Sequence, residues 1–153
     1  MLTAKATSTT DQSDSVVVSF DAVWQQKLSS RVVSVVIRKR IPKTLRPHWL
    51  YFHLNAPIGA IGGRAEIRDA SDMSLAKAKV LAKELALSTA EITSYFQGAK
   101  TIGCYHLGTI QLLTRPLSLA IIRKQLIYFP PQSFMILSKE AKGVIDRMAG
   151  FRK

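Results

Sequence analysis

Residues 32–43 read VVSVVIRKRIPK, and this stretch decides the fold class. Five of its first six residues are β-branched aliphatics, which pack well on a pleated surface and lose side-chain freedom in a helix. Side chains alternate along a strand, so Val33, Val35 and Ile37 share one face and Val32, Val36 and Arg38 the other, with Ser34 interrupting. Both faces are apolar. Such a strand is covered on both sides, by a sheet interior and by a helix. Arg38, Lys39 and Arg40 then leave the core at the strand's end. Lys43 and Arg46 continue the charge through the loop 41–47, whose two prolines bar it from a central strand.

Outward from this strand, SVVVSF (15–20) is the preceding strand. DAVWQQKLSS (21–30) has Val23, Trp24 and Leu28 near helical spacing, Asp21 as N-cap and Trp24 in the core. The pairing strand is taken as RVVSVVIRKR, 31–40. HWLYFHLN (48–55) and IGAIGGRAEIRDA (58–70) are further strands, and Gly62-Gly63 marks a bulge or a close backbone approach. SLAKAKVLAKELAL (74–87) sets Leu75, Ala78, Ala82 and Leu85 on one helical face. Ser88 to Glu91 spells a capping box for the next helix, closed by Gly98. TIGCYHLGTIQLL (101–113) is a long strand, and RPLSLAIIRKQL (115–126) a short helix with Pro116 in its first turn. FPPQSFMIL (129–137) enters a last strand, and SKEAKGVIDRMAGF (138–151) is a helix capped by Ser138. With no βαβ regularity, the elements predict an α+β domain, a small and mostly antiparallel β-barrel with flanking helices.

The 153 residues suit one domain, and 47% of them are apolar, as in a globular chain. No apolar run reaches the roughly 18 residues of a membrane span. Residues 1–14 read as a flexible polar tail without an apolar leader, 15–137 as the domain and 138–153 as a C-terminal helix. The single cysteine, Cys104, suits a cytoplasmic protein and reads as a small buried hydrophobe. As a nucleophile it would need His106, two residues on and on the same strand face. One cysteine and three scattered histidines give no metal spacing. His48 and His53 point to opposite strand faces and read as loop or surface residues. No cofactor is expected, because GAIGG (59–63) lacks the helix and lysine of a phosphate loop.

Charge narrows the function. The net charge is +12, and it is segregated. Ala22 to Ala65 holds eight Lys/Arg and no acid, and Ile92 to Lys139 holds five and none. Segregated positive charge makes a field that attracts polyanions. The plainer reading is a basic surface that serves solubility.

Taken in order, SVVVSF…WQQKLSSRVVSVVIRKR, AIGGRAEI, the helical pair ending SYFQG, CYHLGTIQLLTRPLSL and PPQSFMIL resemble the ASCH domains, a branch of the PUA-like superfamily. The resemblance covers residues 15–137, and PPQSF resembles in particular the subgroup described as PUA-like regulators. It implies a small β-barrel with flanking helices and a cleft linked to RNA. The family's Gly-x-Lys-x-x-Glu-x-Arg signature falls on Arg31, Val33, Val36 and Arg38, so only the arginine is kept. Members that deacetylate N4-acetylcytidine use that lysine, a threonine at the glutamate position and a glutamate in the helical zone. Valines at the first two positions can neither take a proton nor stabilise an oxyanion.

The expected function is therefore nucleic-acid binding without catalysis, RNA ahead of DNA, with transcriptional regulation in the same class. Arg38 would meet an anion or a base edge, and Lys39, Arg40, Lys43 and Arg46 the phosphates. Trp49 and Tyr51 share a strand face and would stack bases, unless they are core. Gln132 and Ser133 would border the same cleft. The rival is an enzyme acting on a modified nucleoside or RNA, an amidohydrolase or ribonuclease. It would need two of Glu66, Glu84, Glu91, Tyr105 and His106 to converge on Arg38. A protein-interaction module would instead show a large exposed apolar patch. No feature fixes an oligomeric state.

Overall fold

The computed structural model describes Leu2–Thr3 and residues 11–152. In chain order the strands are β1 (Leu2–Thr3), β2 (Gln12–Phe20), β3 (Val35–Arg38), β4 (Trp49–Leu54), β5 (Ala60–Ser74), β6 (Thr101–Ser118), β7 (Leu126–Ile127) and β8 (Met135–Ser138). The helices are α1 (Trp24–Ser29), α2 (Leu75–Val80), α3 (Ala82–Leu85), α4 (Thr89–Phe96), α5 (Leu119–Ile122) and α6 (Lys139–Ala149). β1 and β7 pair in parallel. The other six strands form one sheet in the order β3-β6-β5-β4-β2-β8, antiparallel except between β2 and β4. Part of the expected N-terminal tail is thus in strands, at Leu2–Thr3 and from Gln12. Residues 1, 4–10 and 153 lie outside the described residues.

The class is α+β, but the expected barrel is not closed. β3 and β8 are the two edges of an open sheet. The physical reason is competition for β2. Its second edge is taken by β8 at Val16 and Val17, and the segment before β8 covers Ser19, whose hydroxyl donates to Pro131 O at 2.7 Å. β3 is only four residues long, so it cannot compete for that edge. A side chain crosses the seam in place of a ladder: Arg38 Nη2 donates to Ser19 O at 3.0 Å.

Val35, Val36 and Ile37 are buried and alternate between two faces as predicted, but Val33, expected beside Val35 and Ile37, lies with Val36 because the strand does not extend back to it. Val36 lies with Val16, Val18, Leu50, Phe52 and Tyr105 inside the sheet's curve. Val35 and Ile37 pack with Ile92, Phe96 and Cys104 under α2–α4. A third cluster joins Val17, Tyr51 and Tyr128 to Val144 and Ile145 of α6. The strand is shorter than expected because Arg31 turns the chain with φ 59°, and Val32 is left exposed.

Local signals mostly hold. Ser88 and Glu91 make both bonds of the capping box, at 3.1 and 3.0 Å, and Ser138 caps α6. Gly63 allows the close approach its spelling suggests: a Cβ there would stand 2.5 Å from Gln111 O on β6. Three expectations are corrected. Asp21 is no side-chain cap, since Val23 holds that position without a side-chain bond. The helix over 74–87 breaks at Leu81, and α3 docks on the strand segment through Ser34 N and Glu84 O at 2.9 Å. Residues 115–118 continue β6 instead of starting a helix. Gly63 pairs with Leu112 and Ile61 with Leu117, so Pro116 falls in a bulge that needs no N–H, and Ser118 caps α5.

Candidate nucleic-acid interface

The open seam is also the cleft. α3 and α4 roof the free edge of β3, and the end of β2 with α1 stands opposite. Between them lies a cavity of about 690 Å3. Ser19, Asp21 and Trp24 form one wall, Val35 to Lys39 the floor, and Leu85, Leu87, Glu91 and Tyr95 the other wall.

Arg38 is half-buried here and is held from several sides. Nη1 donates to Ile37 O at 2.7 Å, Nη2 crosses to Ser19 O, and the guanidinium lies 4.4 Å from the Phe20 ring centre. Burial lowers its pKa, while Tyr95 and Tyr105 act in the opposite sense. Lys39 is exposed, with Nζ 3.2 Å from Gln97 Oε1 and 6.0 Å from the Tyr95 ring centre.

Of the five candidate acid–base groups, one shares the cavity with Arg38 and one senses its charge. Glu91 lines the cleft, and the fully buried Tyr105 feels the Arg38 charge from below. The Ser88 backbone and hydroxyl bonds lower the Glu91 pKa, which keeps it ionised. Burial pushes the Tyr105 phenol up, and its hydroxyl has no hydrogen-bond partner among the described residues. Glu66, Glu84 and His106 are not among the residues that border the cavity.

The other expected contacts scatter. Arg40 and Arg46 are exposed on the loop, and Lys43 pairs with Asp72 at 3.1 Å. Gln132 is exposed and Ser133 half-buried, next to the Pro131–Ser19 bond at the cleft's wall. Trp49 is half-buried and already carries the Arg64 guanidinium on its ring at 3.9 Å. Tyr51 is corrected as a stacking residue: it is fully buried, with its hydroxyl 2.5 Å from Asp146 Oδ1. His53 is corrected as a surface residue. It is buried against the Tyr128 hydroxyl at 3.1 Å, and burial holds its pKa down to about 4. Cys104 is buried under α4, and burial pushes its thiol up to about 12, far from a nucleophile's range. Among the described residues no three His, Cys, Asp or Glu side chains gather as a metal site, and no helix is long and apolar enough to cross a membrane.

Sequence reasoning missed Trp24 and Tyr95 as cleft walls, and Arg64 altogether. Arg64 is 0% exposed in the middle of a cross-strand row, Tyr51–Arg64–Gln111. It donates to Gln111 Oε1 at 2.6 Å, to the Tyr51 hydroxyl at 3.2 Å and to the Arg152 carbonyl, between the rings of Trp49 and Phe151. Alternation alone would set Arg64 opposite Ile61; the irregularity at Gly62, where Phe52 faces Gly63 but His53 faces Ile61, brings the two onto one face, and that shift is not legible in the sequence.

No protein-family profile and no curated protein matches the sequence. Solved structures do. The ASCH protein of Zymomonas mobilis superposes with a TM-score of 0.80 at 21% identity, over 88% of this chain and 95% of that one. A tyrosine-to-phenylalanine mutant of that protein gives 0.80 at 21% identity, over 89% of this chain and 99% of that one. The N-terminal domain of McrB from Staphylothermus marinus is more distant, at 0.54 and 8% identity, over 89% and 94%. These identities speak to architecture alone. In fold, this chain is similar to the ASCH protein.

Proposed function

We propose that the protein is a cytoplasmic nucleic-acid binder, for RNA ahead of DNA, that holds its ligand in the seam cleft without acting on it chemically. The observation that carries this is the junction of an open cleft with the most cation-rich segment of the chain. Arg38 and Lys39 border the cavity, Arg40 and Arg46 stand exposed beyond it, and no acid occurs between Ala22 and Ala65. The cations meet phosphates and set position, and the cleft receives what the backbone carries. The valines at signature positions 33 and 36, which can neither take a proton nor stabilise an oxyanion, support binding over catalysis. A transcription-regulator role, in keeping with the resemblance of PPQSF, would fall in the same binding class.

The test is fluorescence anisotropy with labelled single-stranded RNA, single-stranded DNA and duplex DNA across a salt series. The variant is Lys39/Arg40/Arg46→Ala, which leaves the seam residue Arg38 in place. Wild type should bind RNA most tightly. The variant should lower the slope of log K against log salt by about 2 to 3, one phosphate contact per cation. An unchanged slope, or no binding by wild type, would sink the proposal.

A further inference from the structure

β2 borders two cavities, one at each end. Ser19, near its end, lines the seam cleft, and Gln12 to Asp14, at its start, line a second cavity of about 840 Å3 beside α6. The two linings share no residue. Ser19 and Asp14 stand about 17 Å apart along the strand. The chain that runs from one cavity to the other is the basic loop. Lys39 lines the seam cleft, Arg40 and Arg46 follow as exposed cations, and Leu45, His48 and Trp49 line the second cavity. No acid occurs between Lys39 and Trp49.

The second cavity has a wall that the fold does not need for itself. Gly143 borders it from inside the 11-residue helix α6, where glycine is a poor helix former. Its φ is not positive, and a Cβ there would meet nothing within 4 Å. Neither backbone conformation nor packing within the chain calls for glycine. Its effect is to leave the helix backbone open toward whatever fills the cavity. Trp49 and His48 border the same space, with their rings edge to face at 5.2 Å and 77°. The indole is held on its buried side, where the fully enclosed Arg64 guanidinium lies 3.9 Å from the ring centre. A ring already fixed loses little freedom when a second ring stacks on it. The acids of the lining are engaged. Asp146 has Lys142 at 2.8 Å and Arg64 at 3.7 Å, and Asp14 accepts from the Ser15 hydroxyl at 3.1 Å. Lys139, exposed on the cavity's rim, is the cation placed for a phosphate.

We propose that the cavity beside α6 is a second nucleotide site, separate from the seam cleft, where a base stacks on Trp49 next to Gly143, and that single-stranded RNA reaches it from the cleft along residues 39–48. The inference rests on the nucleic-acid reading of the cleft. The basic loop is then a path between two stations, and the length of RNA that the protein engages is set by the span of β2 between them.

The experiment uses the full chain and labelled oligoadenylates of about three and about nine nucleotides, read by fluorescence anisotropy. Wild type should bind the longer one at least about tenfold more tightly, the effect of one further stacked base. Gly143→Leu fills the cavity with a side chain that also favours a helix. It should cancel that gain and leave the shorter oligomer within about twofold of wild type. Gly143→Ala favours the helix without filling the cavity and should bind both oligomers as wild type does. Trp24→Phe leaves Trp49 as the sole tryptophan. Quenching of its fluorescence by the longer oligomer and not by the shorter one reports the stack whether or not Gly143→Leu folds. A Gly143→Leu variant that binds the longer oligomer like wild type, or a Trp49 signal that this oligomer leaves unchanged, overturns the second site while the cleft reading stands. Equal weakening of both oligomers would place RNA beside α6 alone and overturn the path. If neither oligomer binds wild type, both readings fall.

Discussion

His53 lies on β4 with 1% of its surface exposed and its Nδ1 3.1 Å from the Tyr128 hydroxyl. Burial first, and the Arg123 charge second, hold its pKa down to about 4 from an ordinary 6.5. Such a histidine is neutral in the fold and protonated in the unfolded chain across that interval. Its stabilising contribution is complete above pH 6.5 and is withdrawn as pH falls toward 4. At about 1.4 kcal/mol per pH unit, the whole interval amounts to about 3 kcal/mol. That is a large part of a typical domain stability of about 5–15 kcal/mol. Glu91 works in a lower window. Its pKa is depressed, so its contribution is present above the ordinary carboxylate value of 4.5 and is lost below it. Urea unfolding between about pH 7 and pH 5 therefore isolates the histidine. Wild type should lose about 2 kcal/mol over that range. His53→Gln keeps a hydrogen-bonding partner for Tyr128 but cannot titrate, so it should lose less than about 0.5 kcal/mol. A variant with the wild-type slope, or a flat wild type, would refute the assignment.

Two further outcomes follow from the sheet. Gly63→Ala places a methyl 2.5 Å from Gln111 O and 3.1 Å from Leu112 Cα, both backbone atoms of a paired strand, so unfolding free energy should fall by about 2 kcal/mol in urea titrations. Arg64→Met removes the bonds to Gln111, Tyr51 and Arg152 but leaves Asp146 its Lys142 partner at 2.8 Å, and should cost about 3 kcal/mol. The same variant should speed amide exchange at Phe151–Arg152, and unchanged exchange there would mean that Arg64 does not hold that segment.

What the sequence discloses is what short range decides. The double-faced apolar run of β3, the Ser88–Glu91 box and the Ser138 cap are each set within a few residues, and each is found. Pro116 shows the limit. A proline in a first helical turn and a proline in a β-bulge look alike along the chain, and the register of β5, some fifty residues earlier, decides between them. Closure fails for a related reason. Nothing in VVSVVIRKR says that MILS, a hundred residues on, will take the edge of β2 that a barrel would give to β3. Alternation correctly put Trp49 and Tyr51 on one face. It could not say that this face is covered by α6 and fixed to Arg64, whose partners Gln111 and Arg152 lie 47 and 88 residues away.

Closure and the character of the cleft turn on the same stretch, Val33 to Arg38. Val33 and Val36 are enclosed with Leu28 and Tyr105, where a lysine or glutamate would be a buried charge without a partner. Arg38 is tolerated on the same strand because its fork reaches out of the core to two carbonyls and its plane rests on Phe20. With both Nη groups so engaged, Arg38 fixes the width of the seam more than it reaches for a ligand. Lys39 borders the cleft, and Arg40 and Arg46 are exposed on the chain that follows. Binding strength should therefore follow salt through Lys39, Arg40 and Arg46, while loss of Arg38 should act first on stability.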